Sequence, residues 1–112
     1  MVVAVARLSL YIPHAHSLKE KRAVIRKIVD RTMARHKIYV SEVGAQDTWQ
    51  SAQLGFAVVG GEAHVVEAVR DEVVRAMEGM VMGEGEVTAV DRDTIRFGAG
   101  QEFAVERAKY AE

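Results

Sequence analysis

The spacing of apolar residues in this chain switches between two periods in a fixed order, and that order restricts the fold more than any other feature. Residues 2–12 alternate imperfectly with a period of two, which predicts a strand with one better-buried face. Residues 18–33 recur every three or four positions, which predicts a helix. Alternation then returns over residues 38–43 and 52–59. The first half is therefore predicted to be strand, helix, strand, strand.

The second half adds one more helix and one more strand. Gly60-Gly61 is predicted to end the third strand, and residues 65–77 keep helical spacing up to a stop at Gly79. Residues 86–90 alternate as a fourth strand. Residues 94–97 are expected to extend the sheet or to form a short fifth strand.

This order predicts an α+β fold, namely a ferredoxin-like βαββαβ two-layer sandwich. Right-handed crossovers place both helices on one face of an antiparallel sheet and leave the other face open. A chain of 112 residues is long enough to bury a core as one domain. We expect that domain to span residues 1–97, with residues 98–112 forming a C-terminal tail or a short helix.

Positive charge is concentrated at the first helix. Residues 1–37 hold nine Lys/Arg and two acids, a net charge of +7, whereas residues 38–112 hold six against fourteen, a net charge of −8. Ser17 and Glu20 form a capping-box pattern that fixes where the helix begins. Clustered charge of this kind indicates a basic binding face.

The basic residues of this helix form two stripes of like charge at helical spacing. We interpret them as phosphate contacts for RNA or for a ribosomal surface. The candidate contacts are Lys19, Lys21, Arg22, Arg26, Lys27, Arg31 and Arg35. In the alternative interpretation the helix is a solvated face neutralised by acids of the second helix. Those acids are Glu62, Glu67, Asp71, Glu72 and Glu78. Lys21 and Arg22 fall at the margins of the buried stripe, which suits a structural or recognition role.

The connector between the second and third strands is polar and contains the only tryptophan. Its hydrogen-bonding groups indicate a recognition or interface loop formed by Gln46, Asp47, Trp49 and Gln50. In the alternative, Asp47 caps a turn while Trp49 closes one end of the core.

The open face of the sheet supports a second hypothesis. Gly55 to Val59 partly match the RNP1 signature of RNA-recognition motifs, but Leu54 stands where that signature has a basic residue. Leu54, Phe56 and Val58 are therefore predicted to be core. The opposite face would then be buried between subunits of a homo-oligomer. Its proposed members are Val3, Val5, Tyr11, Tyr39 and Val59.

Catalytic and metal-binding signals are weak. The chain has no cysteine, which excludes disulfides and thiol chemistry and fits a reducing compartment. No nucleophile triad or phosphate-binding loop is recognisable, so we assign no catalytic residue and no cofactor. His14 and His16, with His64, have a spacing compatible with metal binding, but loop exposure explains them and no metal is predicted. The first twelve residues contain Arg7 and are too short to span a bilayer. A cytoplasmic protein without a membrane partner is expected.

The chain contains several short motifs, namely Ser17-Leu18-Lys19-Glu20-Lys21-Arg22, Ser41-Glu42-Val43, Gln46-Asp47, Trp49-Gln50, Leu54-Gly55 and Val58-Val59-Gly60. With these motifs it resembles the YlxP-like family of small bacterial proteins, a domain of unknown function. The resemblance covers about residues 1–92. It implies a ferredoxin-like fold, a bacterial cytosolic location and genes near those for translation initiation and ribosome maturation. It supplies no catalytic residues.

Overall fold

The computed structural model describes residues 1–98, which form one four-stranded antiparallel sheet and two helices. In chain order the elements are β1 (Val2–Tyr11), α1 (Leu18–His36), β2 (Ser41–Gly44), β3 (Ser51–Gly60), α2 (Ala63–Val81) and β4 (Glu86–Arg96). The strand order in the sheet is β2-β3-β1-β4, and both neighbours of β1 run antiparallel to it. The predicted βαββαβ fold is confirmed.

The core lies between one face of the sheet and the two helices. Alternate residues of β1, such as Leu8, are fully buried, as the period of two predicts. The helices contribute Ile28, Val73 and Met77 to the same core. Leu54, Phe56 and Val58 of β3 are buried as well. Their assignment to the core is confirmed.

Local hydrogen bonds fix both ends of α1. The Ser17 hydroxyl accepts from the Glu20 backbone N–H at 3.1 Å, as the capping box predicts. The Glu20 carboxylate accepts from the His16 backbone N–H at 2.6 Å, one residue before the expected donor. At the other end, Lys37 adopts a left-handed conformation (φ 58°), and its N–H bonds the Met33 carbonyl at 2.9 Å.

Three boundaries differ from the sequence-based expectation. β2 begins at Ser41, because the apolar Ile38 and Val40 pack on the core from a connector rather than pairing as a strand. α2 continues past Gly79 to Val81. β4 is one strand of 11 residues, with a register shift opposite Ser9 and Leu10. The expected tail or helix beyond Gly98 lies outside the described residues.

Candidate nucleic-acid interface

α1 carries unpaired basic side chains on both flanks of its exposed surface. We call a Lys or Arg free when no carboxylate oxygen lies within 4.0 Å of its nitrogen atoms. Across residues 1–98, the exposed free cations of α1 are Lys19, Arg22, Arg26, Arg31 and Arg35. We refer to these five residues as the α1 basic set. All five were predicted as phosphate contacts.

Three cations of the sheet and α2 are paired instead. Arg7 bonds Asp91 at 3.0 Å, and Arg70 and Arg92 both bond Asp71, at 3.0 and 2.6 Å. The hydrogen bond from Arg70 and then that from Arg92 hold the pKa of Asp71 below its ordinary value of 3.8. The Arg7–Asp91 pair joins β1 to β4 and the Arg92–Asp71 pair joins β4 to α2, so the role of these two pairs is structural.

The remaining free cations in the described part of the chain are Lys37, Arg75 and Arg96. Lys37 caps the end of α1, and Arg75 faces α1 across the gap between the helices. Only Arg96, at the end of β4, lies on another element without facing α1. Unpaired positive charge is therefore concentrated at α1.

The acids of α2 do not neutralise α1 by direct contact. Glu67 accepts a hydrogen bond from Thr94, and Glu62 lies 3.4 Å from His64. No ion pair joins α1 to α2 anywhere in residues 1–98. Lys27 bonds Glu84 at 2.7 Å, and Glu84 belongs to the loop after α2. None of the acids named in the neutralised-face interpretation therefore forms an ion pair with α1 in the described residues.

The C-terminal half of α1 and the middle of α2 enclose an open groove of about 890 Å³. Arg31 and Arg35 line it from α1, and Arg75 lines it from α2. Among the described residues, Glu72 is the only acid in its lining, and the buried Nε2 of His36 has no hydrogen-bond partner there. Three guanidinium groups against one carboxylate make the groove electropositive.

Lys21 differs from its neighbours because its side chain is fully buried. Its ammonium nitrogen donates to the backbone carbonyls of Ala45 at 2.8 Å, Gln46 at 3.2 Å and Ser51 at 3.1 Å. It also lies 3.0 Å from the carboxylate of Glu42. All three ammonium protons therefore have an acceptor within the protein. Lys21 is unavailable to a phosphate, which corrects its assignment as a nucleic-acid contact.

The loop that Lys21 holds is residues 45–50, between β2 and β3. Gln50 fixes its far end, because the Gln50 amide donates to the carbonyls of Pro13 at 3.0 Å and Ala15 at 3.3 Å. Residues 45–49 are all exposed, and 55% of the Trp49 surface faces solvent. Trp49 therefore does not close the core, contrary to the structural alternative. The β1–α1 loop, the loop 45–50 and the first turns of α1 meet at one end of the molecule.

The histidines show no metal-binding arrangement. His14 and His16 are exposed in the β1–α1 loop, and His64 is exposed at the start of α2. Within residues 1–98 no group of three His, Asp or Glu side chains is placed to hold a metal ion.

The open face of the sheet exposes several apolar side chains. Val59 is 61% exposed, Val43 53%, Ile95 44% and Tyr11 40%. The Arg7–Asp91 pair crosses the same face, since both residues lie on the solvent side of β1 and β4. Tyr39, which was placed on this face, lies in the α1–β2 connector instead.

Sequence reasoning identified the exposed cations but missed the burial of Lys21. A signal was present, because Lys21, Ile25, Ile28 and Thr32 follow a single helical line and all four are buried. A lysine on such a line needs acceptors beside it. Its acceptors come from residues 42–51, too distant in sequence to be paired by inspection.

Neither helix in the described part of the chain is long and apolar enough to cross a membrane. A family model described as "Protein of unknown function (DUF503)" matches residues 3–92. The uncharacterized protein YlxP of Bacillus subtilis (strain 168) is 31% identical over 90 residues, which cover 80% of this chain and 98% of that protein. The predicted resemblance is confirmed.

A solved structure with the same topology is that of a de novo designed protein with a ferredoxin fold, determined in solution by NMR. It aligns with a TM-score of 0.53 at 11% identity, over 100% of this chain and 99% of the designed one. At that identity the likeness concerns the fold alone.

Proposed function

This chain belongs to the DUF503 family, and we propose that it binds structured RNA, such as a ribosomal RNA surface, through the α1 basic set. The observation that carries the proposal is the contrast in pairing. Five exposed cations of one helix have no carboxylate partner within residues 1–98, whereas Arg7, Lys27, Arg70 and Arg92 each have one.

The like charges on α1 are spaced for mutual repulsion. Arg22 and Arg26, and likewise Arg31 and Arg35, are separated by four residues. Each such pair destabilises an isolated helix by about 0.2–0.5 kcal/mol. A phosphate between two guanidinium groups reverses that repulsion, and arginine binds phosphate oxygens through two parallel hydrogen bonds.

RNA is the preferred polyanion for two reasons. The α1–α2 groove is lined by three arginines and is open, so a backbone phosphate can enter it without rearrangement. The YlxP-like resemblance implies a genomic association with translation, where the abundant polyanion is structured RNA.

A salt titration of RNA binding tests the proposal. Each phosphate contact contributes about 0.7–0.9 to the slope of log affinity against log salt, so five contacts give a slope of about −3.5 to −4.5. The double variant Arg22→Glu/Arg26→Glu should lower the affinity and flatten the slope by about 2.

The matched control is Arg96→Glu, which reverses the charge of a free cation on another element. It should leave the slope within about 0.5 of the parent value, because Arg96 is outside the proposed contact surface. The proposal would be refuted if the protein does not bind RNA at low salt. It would also be refuted if Arg96→Glu lowers the RNA affinity as much as Arg22→Glu/Arg26→Glu does.

A second candidate is homodimerisation through the open sheet face. It is favoured by the exposure of Val59, Val43 and Ile95 on a single face. Light scattering should then report a dimer at micromolar concentration, and Val59→Glu should convert it to a monomer. A monomeric parent protein at that concentration would exclude this candidate. RNA binding and dimerisation use different faces and are compatible.

A further inference from the structure

We propose that the loop 45–50 is a preformed recognition element that stacks an unpaired RNA base on Trp49, next to the N-terminal cations of α1. This inference rests on the proposed function and adds a substrate class: RNA with a hairpin loop or bulge rather than continuous duplex. In this inference the loop contributes base stacking, whereas the α1 basic set contributes phosphate contacts.

The cost of burying Lys21 is the first argument. Removing an ammonium group from water is unfavourable unless every proton finds an acceptor and the charge is compensated. Lys21 meets both conditions, with Glu42 as the compensating charge, but its three carbonyl acceptors are in or next to the loop 45–50, whose first five residues are exposed. The buried cation therefore stabilises the shape of an exposed loop.

The backbone of the loop is also held in an unfavourable conformation. Ala45 has φ 58°, in the left-handed region that residues with a Cβ rarely adopt. The Ala45 carbonyl is the closest acceptor of Lys21, at 2.8 Å, and a turn follows in which the Thr48 N–H bonds the Ala45 carbonyl at 3.1 Å. The packing of the core does not require this backbone conformation. A strained conformation that is retained in a surface loop therefore points to a function of that loop.

Trp49 is the group that this loop presents. More than half of the surface of this residue is exposed, although tryptophan is a large apolar residue. Exposed aromatic rings on fixed backbones are the usual platforms for unpaired bases, since every base has a face to stack. Asp47 lies two residues before Trp49 in the same exposed loop, and its carboxylate offers hydrogen-bond acceptors for base edges, whereas the Gln46 amide nitrogen donates to the Glu42 carbonyl at 3.3 Å.

The loop lies next to the phosphate contacts. Lys21 bonds the loop from the first turns of α1, and the next residue, Arg22, is exposed there. An RNA strand that places a base on Trp49 therefore lies at the end of α1 that carries Arg22. Paired bases in an A-form duplex cannot reach the indole, because their faces are already stacked.

The single tryptophan makes the test specific. The full-length protein is titrated with a labelled RNA hairpin that has an unpaired loop, and with a blunt duplex of the same length. Hairpin binding should quench the Trp49 fluorescence. Trp49→Ala should weaken hairpin binding by about 5- to 150-fold, the range for one stacked base, and leave duplex binding unchanged. Tyr39→Ala, which removes a 74% exposed aromatic outside the loop, is the matched control and should change neither affinity.

The outcomes separate the two proposals. Equal hairpin affinities for the parent and Trp49→Ala proteins would overturn the stacking inference and leave the RNA-binding proposal intact. Loss of hairpin and duplex binding to the same degree would also overturn it. If neither RNA binds at low salt, both proposals fail. Circular dichroism of each variant ensures that a loss of affinity reflects the missing ring.

Discussion

Replacing Lys21 with methionine tests the buried-cation interpretation directly. Methionine keeps most of the length of the side chain and removes the charge and all three donors. The Glu42 side chain, 18% exposed, would lose its counter-ion, and the carbonyls of Ala45, Gln46 and Ser51 would lose a donor. Lys21→Met therefore breaks a buried pair from one side only.

The expected loss of stability is large for this domain. At 3.0 Å and an effective dielectric constant of 20, the attraction between Lys21 and Glu42 is about 5.5 kcal/mol, and desolvation of the ions opposes it. Removing one partner of a buried pair costs about 3–5 kcal/mol. For a domain near 100 residues that corresponds to a fall in Tm of about 12–40 °C.

Urea unfolding followed by circular dichroism measures this effect. The midpoint should fall while the m value stays constant, because the folded surface is unchanged. Lys19→Met is the matched control: it removes an exposed, unpaired lysine two residues earlier and should change stability by less than about 0.5 kcal/mol. The double variant Lys21→Met/Glu42→Gln should recover about 1–3 kcal/mol of the loss, because the uncompensated carboxylate is gone. A loss below about 1 kcal/mol for Lys21→Met would refute the reasoning.

Two further predictions concern backbone conformation and pH. Ala45→Gly should stabilise the protein by about 0.5–1 kcal/mol in the same urea assay, because glycine adopts φ 58° without strain. The larger conformational entropy of glycine in the unfolded state offsets only part of this gain in stability. A loss of stability would contradict the prediction. The depressed pKa of Asp71 predicts that Asp71→Asn is less stable than the parent above about pH 4. This difference in stability should shrink as the pH falls through the native pKa of Asp71, because the parent carboxylate then takes up a proton. A difference that is constant from pH 2 to 7 would contradict the prediction.

Apolar periodicity predicted the fold because it records which faces are buried. Leu54, Phe56 and Val58 alternate in sequence and are buried together, so the strand and its face were both readable. The same signal failed at Ile38 and Val40. Those residues are apolar because they pack on the core, but their backbone has no strand beside it. Periodicity reports burial and not hydrogen bonding.

Charge was only partly predictable, because ion pairs depend on contacts distant in sequence. The acids of α2 were expected to pair with the basic residues of α1, but Asp71 bonds Arg92, which β4 places beside it. Lys21 was predicted at the margin of the buried stripe, but it is fully buried within it. The burial of the Lys21 side chain depends on Glu42 and on three backbone carbonyls, because these groups pair with its ammonium. The sheet brings those groups under the helix. The sequence shows how many charged residues the chain has, whereas the topology of the fold determines which of the cations have no ion-pair partner.

The rotation of α1 about its axis links the two proposed contacts. Successive residues of a helix are 100° apart, so fixing one side chain fixes the direction of all the others. Ser17 caps the helix, and Lys21 is anchored inward by three carbonyl acceptors and the Glu42 carboxylate, which turns Lys19, Arg22 and Arg26 outward. The same anchor positions the loop that carries Trp49. The relative position of the phosphate contacts and of Trp49 is then fixed before a ligand binds. Preorganisation of this kind lowers the entropy cost of binding. The buried lysine thus has a consequence for recognition without touching the ligand.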